Sequence, residues 1–537
     1  MTPEDWIAHD PDPVTAAELA RCEPAELAAR FARPLRFGTA GLRGPVRGGP
    51  DAMNLAVVLR ATWALARVLT DRGLAGSTVI VGRDARHGSA EFSSVAAEVL
   101  AAERFSPVMF PDPVPTPVLA FSVRHTGAAA GIQITASHNP PADNGYKVYL
   151  DGGMQIVSPT DREIEAAIAR APFADKITRA PVETGGAGLV ESYIERAALG
   201  RRSPGPVRVA LTALHGVGGA VAVETLRRAG VDDVHTVAGQ FSPDPDFPTV
   251  QFPNPEEPGA ADALLALAAD VDADIAIALD PDADRCALGI PTPAGWRMLS
   301  GDETGWLLGD FILSRTESSA LSTSVVASTV VSSRMLSAIA AHRGARHVET
   351  LTGFKWLARA DTDLPDSSLI YAYEEAIGHC VDPAAVRDKD GISAAVLACD
   401  LVATLKHSHR SVLDALDDLA RQFGVHVGAA VSRQVSDADE ASELMRRLRA
   451  SPPTHIAGFV SQTTDLLQNS GARQTDALIF TGGDADTSAR VVARPSGTEP
   501  KVKFYIEVRS TVADDLTDVR RRASALCDDV TAAVRSW

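Results

Sequence analysis

The chain has 537 residues, too many for one hydrophobic core, so about three to five domains are expected. Its 45% hydrophobic and 22% charged residues are ordinary for a globular protein, and a formal net charge of −18 argues against nucleic acid and anionic membranes as partners. Five cysteines (Cys22, Cys286, Cys380, Cys399, Cys527) without a Cys-x-x-Cys pair argue against a disulfide framework or zinc site. With no signal-peptide pattern after Met1 and no apolar run near the ~20 residues that span a bilayer, a cytoplasmic protein is expected. An anionic substrate would then need a locally basic site.

Residues 16–30 predict helix, broken at Pro24. Phe37-Gly38-Thr39-Ala40-Gly41-Leu42-Arg43-Gly44 follows, a backbone suited to approach a ligand closely. A helix is expected over 53–73, a buried strand over 77–84 and a helix over 89–104. The run Gly131-Ile132-Gln133-Ile134-Thr135-Ala136 then stops abruptly at Ser137-His138-Asn139-Pro140. It reads as a strand delivering Ser137 and His138 to the loop past its carboxyl end, where open α/β sheets bind ligands. Ser137 has the chemistry of a nucleophile or phosphoryl carrier, and His138 that of a proton carrier. Taken alone, the four residues read more simply as a capping turn. Asn144-Gly145-Tyr146-Lys147 predicts a turn that returns Lys147 to the same loop, and Ser158-Pro159-Thr160-Asp161 a helix start.

Arg201-Arg202-Ser203-Pro204-Gly205-Pro206 marks a boundary, followed by a strand over 207–211, a glycine-rich turn at 214–219 and a helix. A loop dense in Pro and acids covers 244–258, a helix 260–269 and a strand 274–279. That strand ends in Asp280-Pro281-Asp282-Ala283-Asp284-Arg285. Three carboxylates at alternate positions suit a hard divalent cation, Mg²⁺ before Ca²⁺ or Mn²⁺, although acidic turns are common without one. A helix is expected over 301–315. A third unit opens with a strand over 324–331. Leu351-Thr352-Gly353-Phe354-Lys355-Trp356 enters a helix, and a strand over 369–373 ends in Glu374-Glu375-Ala376-Ile377-Gly378. Those two acids are acceptors for sugar hydroxyls or, equally, a helix N-terminus. Arg387-Asp388-Lys389-Asp390-Gly391 precedes a helix over 392–407, and another helix covers 412–423. The rest, with helices over 437–450 and 512–537, predicts a small antiparallel α+β domain. In it a strand over 490–493 ends in Arg494-Pro495-Ser496-Gly497-Thr498-Glu499-Pro500-Lys501, groups that can cradle a phosphate. Of 51 basic residues only seven are Lys, and Lys147, Lys355, Lys389, Lys501 and Lys503 fall in or beside these motifs.

Four times, therefore, an apolar run ends in a polar loop, at Ser137, Asp280, Glu374 and Arg494. Together these loops resemble the α-D-phosphohexomutase superfamily, which includes phosphoglucomutase and phosphomannomutase, over nearly the whole chain. The resemblance implies four domains around a central cleft: three similar α/β units with mixed sheets and a C-terminal α+β domain resembling the TATA-binding-protein fold. The boundaries expected are 1–203, 204–316, 317–428 and 429–537. It implies that Ser137 is a phosphoserine and metal ligand, that Asp280, Asp282 and Asp284 hold one Mg²⁺, and that His138, Lys147 and Arg43 serve catalysis. Arg43, Asp284, Arg285, Thr352, Glu374 and Lys389 match sugar-phosphate positions, and Arg494, Ser496, Gly497 and Thr498 the distal phosphate loop.

The implied reaction is interconversion of the 1-phosphate and 6-phosphate of a hexose, glucose and/or mannose, by an intramolecular phosphotransferase of the isomerase class. A sugar bisphosphate such as glucose 1,6-bisphosphate would be its activator and intermediate. The partner is a small sugar phosphate, and the chain is expected as a monomer or small homo-oligomer. Ala376 stands where many hexomutases have Ser, and Ala40 replaces the Ser of Thr-Ser-Gly. With Glu-Glu-Ala-Ile-Gly and Thr-Gly-Phe-Lys-Trp, this is most like the branch containing phosphopentomutase and glucose-1,6-bisphosphate synthase. A pentomutase or bisphosphate synthase thus stays open, as do a Mg²⁺-dependent sugar phosphatase and a non-catalytic sugar-phosphate sensor.

Overall fold

The computed structural model describes residues 1–37, 41–150, 152–469, 474–496, 501–513 and 515–537. The chain forms two compact units, Met1–Ser300 with Ala376–His407, and Gly301–Glu375 with Ser408–Trp537.

The first unit contains two mixed sheets of similar plan. In one, the strands run in the order Leu42–Pro45, Asp143–Leu150, Ala130–Ile134, Thr78–Arg83, Ser106–Met109. The last three are mutually parallel and the first two antiparallel to their neighbours. Ala130–Ile134 is buried at every position, as expected of a central strand covered on both faces. Helices Leu55–Asp71 and Ser89–Ala102 share one core with Val79, Val81, Ile132 and Ile134. The other sheet runs Gly295–Met298, Cys286–Thr292, Ile275–Leu279, Arg208–Thr212, Asp233–Thr236, again three parallel strands extended by antiparallel ones. Helix Gly391–His407 is buried along nearly its whole length and packs on helices Ala187–Ala198 and Gly218–Arg228, which explains why its sequence is apolar all round.

In the second unit, Ser324–Thr329 lies parallel to Arg346–Thr350 and Ser368–Glu374. The carboxyl-terminal sheet is antiparallel throughout, in the order Val425–Gln434, Lys501–Ser510, Thr487–Pro495, Leu478–Gly483, Gln462–Asp465. Helices Ala438–Ala450 and Leu516–Arg535 close its core, the latter through Val519, Ala523, Cys527, Val530 and Val534 at helical spacing. No helix among the described residues is long and apolar enough to cross a membrane.

Three expectations change. Asn144-Gly145-Tyr146-Lys147 is not a turn but the interior of strand Asp143–Leu150. The Asn-Gly pair suggests a turn, but the Asn144 amide is satisfied by the His87 carbonyl (2.8 Å) and Ser89 Oγ (2.9 Å), and Tyr146, Val148 and Leu150 join the core. Glu374 ends a strand and is followed by a turn, so no helix N-terminus accounts for the paired acids. The helix after Thr352 is a single turn, Phe354–Leu357.

Asp302, half-buried near the start of helix Gly301–Ser314, accepts the Ser333 N–H and the Tyr373 hydroxyl at Oδ1, both at 2.8 Å. Burial pushes its pKa up to about 7, with Glu375 and Glu507 adding to the rise and the two hydrogen bonds opposing it. The folded chain thus holds this proton more tightly than the unfolded chain does. The associated stability is complete below about pH 4, the ordinary carboxylate range, and is lost as pH rises through 7. Asp302→Asn keeps the acceptor oxygen without the charge. Its Tm should gain on the wild type between pH 5 and pH 8 by about 2–4 °C or more; a difference that stays flat across that range would show that Asp302 titrates normally.

Candidate active site

Strands Ala130–Ile134 and Ile275–Leu279 are central in their sheets, and each is followed by a loop that turns on a non-glycine residue in the left-handed region, Ser137 and Ala283, both at φ 53°. The Ser137 amide donates to Thr135 Oγ1 (2.9 Å), which fixes the turn, and Ser137 Oγ donates to Asp280 Oδ2 at 2.7 Å. His138 Nδ1 lies 3.2 Å from the same Oγ. Asp280, Asp282 and Asp284 are buried, with one oxygen from each within 4.8 Å of the others.

Lys147 reaches this cluster because its strand pairs with the serine strand, Gln133 opposite Lys147. Its Nζ donates to Asp282 Oδ2 (2.7 Å) and Asp284 Oδ2 (2.9 Å). Thr116 Oγ1 also donates to Asp282 Oδ2, at 2.5 Å, and Lys389 Nζ lies 3.3 Å from Asp284 Oδ2. The Arg285 amide donates to Asp280 Oδ1 (3.0 Å). Asp282 Oδ1 and Asp284 Oδ1 are left buried without a hydrogen-bond partner among the described residues. Orphaned buried carboxylate oxygens beside a serine hydroxyl fit a hard divalent cation such as Mg²⁺, which takes oxygen donors. The other oxygens of the same two acids are already pinned by cations, so the unpartnered oxygens are held in fixed positions.

The electrostatics follow from burial. Asp280 is pushed well above the usual carboxylate range by burial and by its two acidic neighbours. Burial and the Asp284 charge push Asp282 up, but Lys147 and the Thr116 hydrogen bond together outweigh them; Asp284 is held down against burial by Lys147, Lys389 and Arg285. Burial disfavours the Lys147 ammonium, yet the two carboxylates more than compensate and its pKa rises. His138 is kept neutral by burial and by the Arg285 and Arg43 cations. Arg43 donates to Asn139 Oδ1 at 3.2 Å.

The first unit thus gathers Arg43, Ser137, His138, Lys147, Asp280, Asp282, Asp284, Arg285 and Lys389. The second unit carries Thr352, half-buried in the bend before Phe354, and Glu374, buried at its strand end. It also carries Arg494 and Ser496. Burial pushes the Tyr505 hydroxyl pKa up, the Glu375 and Glu374 charges add to the rise and Arg494 opposes it, so Tyr505 feels the charges of both Glu374 and Arg494. The Ser496 amide donates to the Lys501 carbonyl at 2.8 Å. Gly497 and Thr498, and Gly38, Thr39 and Ala40 of the amino-terminal loop, lie outside the described residues.

Four successive segments match family models: the α/β/α domain I of phosphoglucomutase/phosphomannomutase over residues 34–175, domain II over 190–292, domain III over 300–423 and the C-terminal domain over 464–523. A "Probable phosphomannomutase" of Haemophilus influenzae is 40% identical over 467 residues, 85% of this chain and 93% of that one. The chain belongs to the phosphoglucomutase/phosphomannomutase family. It is a phosphosugar mutase, an intramolecular phosphotransferase of carbohydrate metabolism. A "Phosphopentomutase" of Mus musculus is 33% identical over 559 residues, 94% of this chain and 89% of that one. The crystal structure of a phosphoglucomutase/phosphomannomutase family protein from Burkholderia thailandensis superimposes with a TM-score of 0.69 at 22% identity, over 92% of this chain and 97% of that one, a likeness of fold.

Several residues that build this candidate site were not assigned to it from the sequence. Thr116 follows a proline far from any motif. Gly216 was visible only as part of a glycine-rich turn, yet a β-carbon there would sit 2.3 Å from Pro281 Cα, so the aspartate loop rests directly on it. Gly391 presses on the same loop from the other side: a β-carbon would lie 2.3 Å from the Arg285 carbonyl oxygen, and its amide donates to the Ala283 carbonyl (3.1 Å). Asp388 accepts Tyr149 OH (2.8 Å) and Gln155 Nε2 (2.7 Å) at Oδ2 and steadies Lys389 from behind.

Lys147→Met would strip the buried Asp282 and Asp284 of their shared cation. In chelator the variant should lose about 3–5 kcal/mol of stability, the usual consequence of breaking a buried ion pair. Added Mg²⁺ should raise its Tm by more than it raises the wild type's; equal shifts would show that these carboxylates do not hold the ion.

Proposed function

We propose that this mutase interconverts the 1-phosphate and 6-phosphate of a hexose, glucose and/or mannose, through a phosphoserine at Ser137 and a sugar bisphosphate. What carries the reading is the contact of Ser137 Oγ with Asp280 Oδ2 at 2.7 Å, beside buried acids that each keep an unpartnered oxygen. The higher identity to the Haemophilus influenzae relative supports a hexose ahead of a pentose. The expected boundaries at 203, 316 and 428 make each of the four domains the carrier of one loop.

In this reading Asp280, Asp282 and Asp284, with a phosphoserine oxygen, hold one Mg²⁺, which when bound neutralises charge on the transferring phosphoryl group. The residues of the chain do the remainder. Phosphoryl transfer needs alignment and charge neutralisation more than covalent help. Arg43, Arg285, Lys147 and Lys389 bring four cations to an acidic protein at one place. The bond from Ser137 Oγ to phosphorus breaks as the bond from a sugar hydroxyl forms, and the hydroxyl proton must leave. In this reading His138, kept neutral by burial and 3.2 Å from Ser137 Oγ, takes it. Lys147, bridging two carboxylates, serves instead to hold the acids in place. Thr352 and Glu374 would bind the sugar. Arg494 and Ser496, with Gly497 and Thr498, would hold the non-reacting phosphate, so that either end of the bisphosphate can face Ser137. The setting is the cytoplasm, with the chain as monomer or small homo-oligomer.

The test supplies glucose 1-, mannose 1- and ribose 1-phosphate side by side, with Mg²⁺ and trace glucose 1,6-bisphosphate. Hexose 6-phosphate should form without net inorganic phosphate. Fastest turnover of ribose 1-phosphate would replace the hexose by a pentose, and phosphate release without isomer would overturn the bisphosphate route. Ser137→Ala should lower turnover by on the order of 10³-fold or more.

A further inference from the structure

We propose that Arg86, whose guanidinium lies over the Phe247 ring, is a positioning residue that sets the phosphoryl-carrying serine against the metal-binding acids; this rests on the mutase reading of Ser137 above. Arg86 lies in the loop after strand Thr78–Arg83 and is buried. Its guanidinium donates to four carbonyls of the serine loop: Nη2 to Ser137 and Asn139, both at 2.6 Å, and Nη1 to Pro140 (2.7 Å) and Asp143 (3.1 Å). Its own amide is held by Asp84 Oδ1 (2.9 Å), which also accepts Ser89 Oγ (2.6 Å). Ser137 is in the left-handed region, which a side chain beyond glycine adopts only when its surroundings impose it. Four carbonyls converging on one planar cation impose it here.

The Cζ of the same guanidinium lies over the Phe247 ring, 4.9 Å from its centroid. Phe247 belongs to the Pro-rich acidic loop for which the sequence offered no role. Its ring meets His215 edge-on at 6.5 Å, and His215 Nε2 pairs with Thr249 Oγ1 at 2.8 Å. The next residue, Gly216, touches Pro281, and the Val217 amide donates to the Pro281 carbonyl (2.8 Å). One continuous chain of contacts therefore runs from the serine loop through Arg86, Phe247, His215 and Gly216 to the aspartate loop. What it fixes is the separation of Ser137 from Asp280. Arg86 touches neither reacting group, so its effect is on alignment. Lysine cannot substitute, because an ammonium has neither the planar fork for four carbonyls nor a face to stack.

The experiment compares Arg86→Lys and Phe247→Leu with the wild type in the presence of Mg²⁺. It follows kcat, KM and Tm, and by intact mass the rate at which glucose 1,6-bisphosphate phosphorylates Ser137. Both variants should remain folded, with kcat and the labelling rate falling together by about 10- to 100-fold, the scale of a misalignment of about 1 Å. KM for the sugar phosphate should stay within about two-fold, since binding groups are untouched. Unchanged kcat and labelling in Arg86→Lys would overturn the proposal, as would failure of both variants to fold, which would make the pair purely structural. A wild type that neither isomerises sugar phosphates nor labels Ser137 would overturn the mutase reading and this proposal with it. A working wild type beside unimpaired variants overturns this proposal alone.

Discussion

Three buried carboxylates within 4.8 Å of one another are the constraint from which the rest of the first unit follows. In a low-dielectric site such a cluster is stable only with cations built against it. Lys147 supplies one and is itself almost fully buried, so it too survives as an ion only because the acids are there. The dependence runs both ways, and it places strict demands on the backbone. Strand Asp143–Leu150 must pair with the serine strand in the observed register, because a slip of one residue would send Lys147 to the opposite face. Helix Gly391–His407 must begin where Lys389 meets Asp284, and Gly391 lets it begin there.

The same demand accounts for strained backbone beside the site. Ser137 and Ala283 adopt left-handed backbone without being glycine, each at the end of a central strand, and Leu214 and His215 do so in the loop that supports Pro281. Conformations of this kind cost on the order of 1–3 kcal/mol each and persist where neighbouring contacts over-determine them. Thr135 and Arg86 do this for the serine turn, Gly216 and Gly391 for the aspartate turn. These four strained positions lie in or beside the loops whose groups must be held at fixed distances.

The parts of this arrangement legible in the sequence were those with a local signature. Buried parallel strands announce themselves as continuous apolar runs, and a polar loop after such a run is where α/β sheets place ligands. Ser137 and the three aspartates could be read in that way, and the antiparallel character of the last domain from its rhythm. What could not be read is set by contacts between distant segments. Asn144-Gly145 carries a turn signal that tertiary pairing overrides, because Ser89 and the His87 carbonyl satisfy the asparagine. Thr116 and Asp282 are far apart in sequence, and so are Arg86 and Phe247. No periodicity encodes a hydrogen bond or a cation–ring contact between residues so separated.

The distribution of charge gives the two units different tasks in the proposed mechanism. The first unit contains the carrier serine, the acids and the cations that balance them, a set whose chemistry does not depend on which sugar is presented. The second contains Thr352 and Glu374, proposed to meet the sugar hydroxyls and so able to tell one hydroxyl pattern from another, and Arg494 and Ser496, proposed to hold the non-reacting phosphate. Tyr505, which the sequence did not single out, feels the charges of both Arg494 and Glu374, the residues proposed to hold a phosphate and to accept a sugar hydroxyl. On this division, substitutions around Tyr505 should alter which sugar phosphate is taken while leaving the phosphorylation of Ser137 intact. Changes at Lys147 or Gly216 should act on every substrate alike.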